Sequence, residues 1–387
     1  MQRKISSLYQ FGEYCNLTAK RLSVNILCSI FLISLCFCNV ENPQSKNNRR
    51  NFSVFTYFAN LPVNLNIVTT QVGSMILTHS NPKAILLDNG KVLVVGNGAE
   101  LFDSSALSFS VIANRTTNRV RHTLTKLQDG KILISGGNFT TVEIYDPTAA
   151  TFSNTGTMVQ SLRSGNTSTL LSNGKVLVTG GYQTSAPTTS FTTAELYDPT
   201  TGVFTSTGNM NYARQLHNAT MLNDGTVLIA GGYDSQSLKV SVAEIYNPTT
   251  GLFTSLSNSF CRSTNNYTAV LLTNKNVLIA DTSIGYLQFF DIASNNCTII
   301  QQTLRGISGF SIALLKDGKV ILAGGETTSS YVRELKVFDP NTNTLSYLGN
   351  TSKARSRPIA VVLQDGRVLI TAGTPSATSK ITEIYTP

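Results

Sequence analysis

Few residue types in this chain could do chemistry, and those that could sit at recurring positions. Three histidines, His79, His122 and His217, and two cysteines, Cys261 and Cys297, are the candidate metal ligands or nucleophiles beyond residue 40. His122 and His217 each lie eight residues before a glycine that follows Asp. Arg119, Arg163, Arg214 and Arg355 each lie eleven residues before a glycine that follows Asp or Asn. A glutamate comes later in the same unit: Glu143, Glu195, Glu244 and Glu383. In the first unit His79 takes the Arg position and Glu100 follows. Two units with Thr264 and Ile307 there carry Gln288 and Lys336 in place of Glu. Charges that come and go together point to ion pairs holding strands, within one unit or between neighbours, and not to substrate ligands.

The same periodicity removes most catalytic readings. No CxxC pair with zinc spacing occurs beyond the first 40 residues, and neither a Ser-His-Asp order nor a phosphate-cradling glycine loop appears in a fitting context. The acidic residues fall mainly at repeat positions, which leaves no dedicated acid/base pair. No metal or cofactor is implied.

The elements that must position these residues repeat seven times. The segments are LLDNGKVLVVGNG (86–98), KLQDGKILISGGN (126–138), LLSNGKVLVTGGY (170–182), MLNDGTVLIAGGY (221–233), LLTNKNVLIADTS (271–283), LLKDGKVILAGGE (314–326) and VLQDGRVLITAGT (362–374). Gly90, Gly130, Gly174, Gly225, Lys275, Gly318 and Gly366 mark a spacing of 40–51 residues, the period of propeller blades. Each copy reads as an apolar strand, an Asp-Gly or Asn-Gly hairpin with φ > 0 expected at both turn residues, and a β-branched second strand. A second hairpin follows, as in AELYDPTTGVF (194–204), with Asp-Pro or Asn-Pro opening the turn and an aromatic six residues beyond the Asp. Four short strands per unit make one blade.

These residues resemble the Kelch-repeat family, in the DG-K-VL-GG variety shared with the propeller of galactose oxidase. The Arg position is filled by Arg119, Arg163, Arg214 and Arg355, and the His position by His122 and His217; the outer aromatic is Phe where many Kelch proteins have Trp. The resemblance spans about residues 52–387 and implies an all-β, seven-bladed Kelch-type propeller. The fifth unit departs most, with Lys275 for the turn glycine and Asp281-Thr282 for Gly-Gly; a distorted blade is expected there. One branch of such propellers is copper-radical oxidases, whose site the resemblance specifies as two His, two Tyr and a Cys crosslinked to Tyr. His122 and His217 fall in non-adjacent blades at a structural position, which argues against that site here.

The chain start lies outside this fold. Residues 1–21 form a basic leader and residues 22–40 an apolar segment. Residues 41–51 form a polar tether, and residues 52–387 the propeller. Residues 1–50 carry seven Lys/Arg against two Glu, more than half of the net +9. No basic run follows and Trp is absent, which argues against nucleic acid as a partner. The apolar segment reads as a cleaved signal peptide, with Cys36 and Cys38 as imperfect small residues before the cut, or as an uncleaved anchor. The long leader favours the anchor. The domain is then extracytoplasmic, membrane-anchored or secreted. Sequons at Asn51, Asn114, Asn138, Asn166, Asn218, Asn266, Asn296 and Asn350 agree with export as glycosylation candidates. An oxidising compartment favours a Cys261–Cys297 disulfide.

What remains is a non-enzymatic module that binds a protein or glycan through its loops. The alternative is a secreted carbohydrate-active or oxidase-like enzyme of the galactose oxidase type with an unrecognised or lost site. The longest insertions, residues 182–193, 233–242, 326–334 and 374–381, join second to third strands. They offer Tyr182, Phe191, Tyr233 and Tyr331 as ligand contacts. The last unit stops after its third strand, leaving an open sheet edge. Residues 52–58, rich in aromatics, are expected to supply the outer strand by pairing with Glu383–Tyr385.

Overall fold

The computed structural model describes residues 66–112, 117–184, 188–256, 267–274, 276–282, 285–301, 304, 306–375 and 380–387. They belong to one compact unit, Asn64–Pro387. The leader, apolar segment and tether fall outside them. Among the described residues no helix is long and apolar enough to cross a membrane.

Seven four-stranded antiparallel sheets form the blades of a propeller. Blade 1 runs Lys83–Leu86, Val92–Val95, Ala99–Asp103 and Ser108–Val111. The innermost strands of blades 2–7 are His122–Lys126, Thr167–Leu170, Asn218–Met221, Tyr267–Leu271, Ser311–Leu314 and Ile359–Val362. These innermost strands neighbour one another all the way round.

The second strand of each blade explains why its sequence is unbroken Val, Leu and Ile: it is buried on both faces. All four residues of Val92–Val95, Val176–Thr179, Val227–Ala230, Val320–Ala323 and Val368–Thr371 are buried. Their side chains alternate between the two neighbouring blades. Seven apolar clusters result, one at each seam between blades. The core is thus a closed ring, and truncating a residue such as Leu93, fully buried in it, costs about 2–5 kcal/mol.

Turn chemistry fixes the strand pairs. In all seven first hairpins the Asp or Asn carboxamide or carboxylate accepts the amide two residues on, from Lys91 N to Asn89 Oδ1 at 3.1 Å through Arg367 N to Asp365 Oδ1 at 3.0 Å. Only the glycine is left-handed, as at Gly90 (φ 80). Gly90 N donates to Leu87 O and Leu87 N to Lys91 O. The turn is therefore a type I turn followed by a left-handed glycine, not the expected turn with positive φ at both residues. The side-chain bond to the backbone holds the Asp or Asn right-handed. Blade 5 keeps this bond despite Lys275, with Asn276 N donating to Asn274 Oδ1 at 3.1 Å. It forms four strands like the others; its register shift between Leu287 and Gln288 has counterparts in blades 2 and 6. In the second hairpins the aromatics pair across the strands, Tyr145–Phe152, Tyr197–Phe204 and Tyr246–Phe253 at 4.8 Å. Cys297 takes the Phe place opposite Phe290 in blade 5 and is disulfide-bonded; its expected partner, Cys261, lies outside the described residues.

An N-terminal strand closes the ring, but it is Thr69–Gln71, antiparallel to Glu383–Tyr385 with Thr69 opposite Tyr385. Val368–Thr371 occupies the other edge of Glu383–Tyr385, so no edge remains for residues 52–58, which lie outside the described residues. The reason is connection length. In the six other seams an outer strand ends eight to eleven residues before the next innermost strand begins, and Gln71 precedes Lys83 by eleven intervening residues.

Candidate functional site

The antiparallel blades give the propeller two unlike faces. One carries the hairpin turns. The other, the loop face, carries the connections between blades and the insertions between second and third strands.

The repeated Arg and Glu lie just beneath the loop face and pair within each blade. Arg119 Nε meets Glu143 at 2.9 Å, Arg163 Nη2 meets Glu195 at 2.7 Å, Arg214 Nη2 meets Glu244 at 2.7 Å and Arg355 Nη2 meets Glu383 at 2.6 Å. The side chains are buried. Each guanidinium also donates to backbone carbonyls, in blade 4 those of Gly231 and Val242. The carboxylates take amides of the incoming connection: Val159 N and Gln160 N at Glu195, Asn211 N and Tyr212 N at Glu244. Burial pulls each guanidinium pKa down, and the paired glutamate opposes it. In blade 1 His79 lies 3.6 Å from Glu100. In blade 7 Thr69 Oγ1 donates to Glu383 at 2.5 Å, tying the closing strand to the same clamp. These groups are consumed by the architecture.

The histidines are likewise committed. His122 Nδ1 lies 3.1 Å from Arg119 O. His217 Nε2 lies 3.0 and 2.9 Å from the hydroxyls of Thr167 and Thr179 in blade 3. Burial, then Arg214 and Arg163, hold the His217 pKa well below that of an ordinary histidine. Among the described residues no group of three His, Cys, Asp or Glu is placed to hold a metal ion.

The insertions are anchored rather than free. The residue after the Arg position bridges to the first residue of the insertion: Ser164 with Tyr182, Gln215 with Tyr233, Ser308 with Glu326 and Ser356 with Thr374. This anchoring corrects the expected role of Tyr182, which is only 7% exposed and accepts a hydrogen bond from Arg121. Tyr233 is half-buried, and burial, then Asp281, raises its pKa. Phe191 is half-buried over the Arg163 guanidinium at 5.6 Å. Of the four, Tyr331 alone presents an exposed ring.

The sequons divide by exposure. Asn138 and Asn296 are exposed, and Asn218 and Asn350 are half-buried. Asn166 is 5% exposed and packs against Gly136 and Gly181, so it is not a glycan acceptor in the folded chain. Asn51, Asn114 and Asn266 lie outside the described residues.

What sequence reasoning missed is charge distribution. On the turn face four cations pair with the Asp of the second hairpin, Lys91–Asp103, Lys131–Asp146, Lys175–Asp198 and Lys319–Asp339 at 3.2–4.0 Å, while Lys316 donates to the Gln364 carbonyl. On the loop face Lys83, Arg121, Lys239, Arg333, Lys353 and Arg357 are exposed, while the described acids are half-buried or buried. Asp234 caps its own loop through the amides of Gln236 and Leu238. Glu334 pairs with Lys336, and Glu326 lies 4.0 Å from Arg357. The order of Lys and Arg relative to the turns carries this signal in the sequence.

No family model matches the chain, and no curated protein matches it. Among solved structures it is similar to a "novel fungal alcohol oxidase with catalytic diversity among the AA5 family, in complex with copper", at TM-score 0.65 and 16% identity over 83% of this chain and 76% of that one. It is also similar to YjhT, at TM-score 0.56 and 14% identity over 71% of this chain and 96% of that one. Both likenesses fit a Kelch-type propeller and concern the fold.

Proposed function

We propose that this chain is a binding module displayed on the extracytoplasmic side of a membrane or secreted, recognising a protein or glycan partner through its loop face. One observation carries the reading: the repeated Arg, Glu and His residues, the groups most able to do chemistry, serve as buried structural clamps, whereas the loop face presents anchored insertions and unpaired cations. Preformed loops on a rigid ring lose little entropy on binding. The hydrophobic leader and the exposed sequons at Asn138 and Asn296 support export.

The second reading, a secreted oxidase-like or carbohydrate-active enzyme, has the alcohol oxidase likeness in its favour. Metal analysis of the purified protein separates the two. Stoichiometric copper that survives dialysis overturns the binding-module reading. A metal-free protein that captures an extracellular partner, and loses it on Tyr331→Ala or Arg121→Ala, supports it.

A further inference from the structure

The centre of the ring on the loop face carries exposed cations with a single carboxylate, Glu326, within reach among the described residues. In six of the seven blades, all but blade 5, where the equivalent position lies outside the described residues, the chain approaches the innermost strand through a left-handed residue two positions beyond the Arg position: Asn81, Arg121, Gly165, Leu216, Gly309 and Arg357, with φ between 47° and 63°. Backbone bonds link neighbours into a rim. Gly165 N donates to Arg121 O at 3.1 Å, Leu216 N to Gly165 O at 2.8 Å and Arg357 N to Gly309 O at 2.5 Å. Arginine in this conformation costs free energy and persists only where its surroundings impose it. Blades 7, 1 and 2 are consecutive, and they place Arg357, Asn81 and Arg121 on the rim. Lys83 begins the innermost strand of blade 1 between the two arginines. All four are exposed. At the Lys83 position the other blades carry Thr123, Thr167, Asn218, Thr268, Ser311 and Ile359, so Lys83 is the one cation at this position of the ring.

Among the described residues no carboxylate lies within ion-pair reach of Lys83 or Arg121, and Arg357 has only Glu326 at 4.0 Å. Protein around Lys83 lowers its pKa by desolvation, yet the residue keeps an exposed surface. Exposed positive charge gathered at one end of the ring attracts counter-charge, so a ligand that balances it must bring negative charge. Planar oxyanions suit a central ammonium flanked by the Arg357 fork and by the N–H groups of Arg121 that Tyr182 does not engage.

We propose that this centre of the loop face is a binding site for an oxyanion group, a carboxylate or a sulfate ester, held by Lys83 with Arg121 and Arg357 on either side. The proposal rests on the loop face being the binding face. It is tested by calorimetric titration of the intact protein at low ionic strength with citrate and, separately, with inorganic sulfate; sodium chloride of matched ionic strength is the blank. Saturable binding of one or both is expected, and the stronger arm identifies the group. Lys83→Met should weaken it about tenfold or more, and Arg121→Met and Arg357→Met severalfold. Lys83→Arg should retain it, and Lys316→Met on the turn face should leave it unchanged. Unaltered melting of Lys83→Met shows that the fold is kept. Absence of saturable binding in both arms, or equal affinity in Lys83→Met and the parent, overturns the site. Partner capture that depends on Tyr331 but not on Lys83 overturns the site while leaving the binding-module reading standing. Copper stoichiometry overturns that reading independently.

Discussion

Replacing Glu244 by Ala isolates what the buried clamps contribute. The Arg214 guanidinium is fully buried and would keep its carbonyl partners Gly231 and Val242 at 3.1 and 3.0 Å. It would lose the only carboxylate that pairs with it among the described residues, at 2.7 Å. The amides of Asn211 and Tyr212 would lose an acceptor too; Tyr212 is 42% exposed, so water reaches that stretch. The dominant cost is an uncompensated buried charge, about 3–5 kcal/mol. The unit Asn64–Pro387 spans 324 residues. At about 2.1 cal/mol/K per residue its unfolding entropy is near 0.7 kcal/mol/K, so the melting temperature should fall by roughly 4–7 °C. The double variant Arg214→Met with Glu244→Met removes both charges and should recover most of the loss. Lys131→Ala breaks a turn-face pair at 3.8 Å whose ammonium is 41% exposed, and should cost under about 1 kcal/mol. Calorimetric melts of the three variants decide the matter. A Glu244→Ala shift within about 1 °C of the parent, or a double variant that melts no higher than Glu244→Ala, would refute the argument.

Closure should depend on Thr69–Gln71 alone. A protein starting at Leu61 should melt with the full chain, and one starting at Val72, which leaves the outer edge of Glu383–Tyr385 without its partner strand, should melt well below both; equal midpoints for the last two would disprove the pairing. Acid should destabilise the ring in two stages. His217 has a folded pKa below its unfolded value, so the folded state binds fewer protons. The stability it contributes is present above about pH 6.5 and is lost as pH falls, by up to about 1.4 kcal/mol per unit. Asp103, Asp146, Asp198 and Asp291, held low chiefly by hydrogen bonds, for three of them from turn amides and for Asp291 first from Ser294, add a further loss below about pH 4. His217→Gln should flatten the first stage of a melting-against-pH series, and an unchanged slope would count against a neutral His217. Expressed through a secretory pathway, the protein should carry glycans at Asn138 or Asn296 and none at Asn166, as peptide mapping after enzymatic deglycosylation would read; occupancy at Asn166 contradicts its burial.

The blade count, the strand order within each blade and the existence of Arg–Glu clamps are legible in the sequence; that each clamp closes within its own blade is the structure's choice. Each unit carries its own turn residues and its own charges, and those act over short chain distances. Where the chain meets itself, local pattern misleads. Residues 52–58 look more strand-like than Thr69–Gln71, yet connection length, set by the other six seams, selects the latter. Tyr182 and Tyr233 look like surface aromatics. They are anchors because the residue after each Arg pairs with the insertion across the blade. Asn166 satisfies a sequon and is buried because Gly136 of the preceding blade leaves room for it. Sequence by itself therefore determined what each blade is, since hairpin turns and apolar runs are decided within some forty residues. Only the tertiary structure decided which strand closes the ring and which side chains are exposed. It also decided that the innermost strands of blades 7, 1 and 2 are neighbours, because those outcomes depend on ring geometry that brings residues far apart in the chain around one axis.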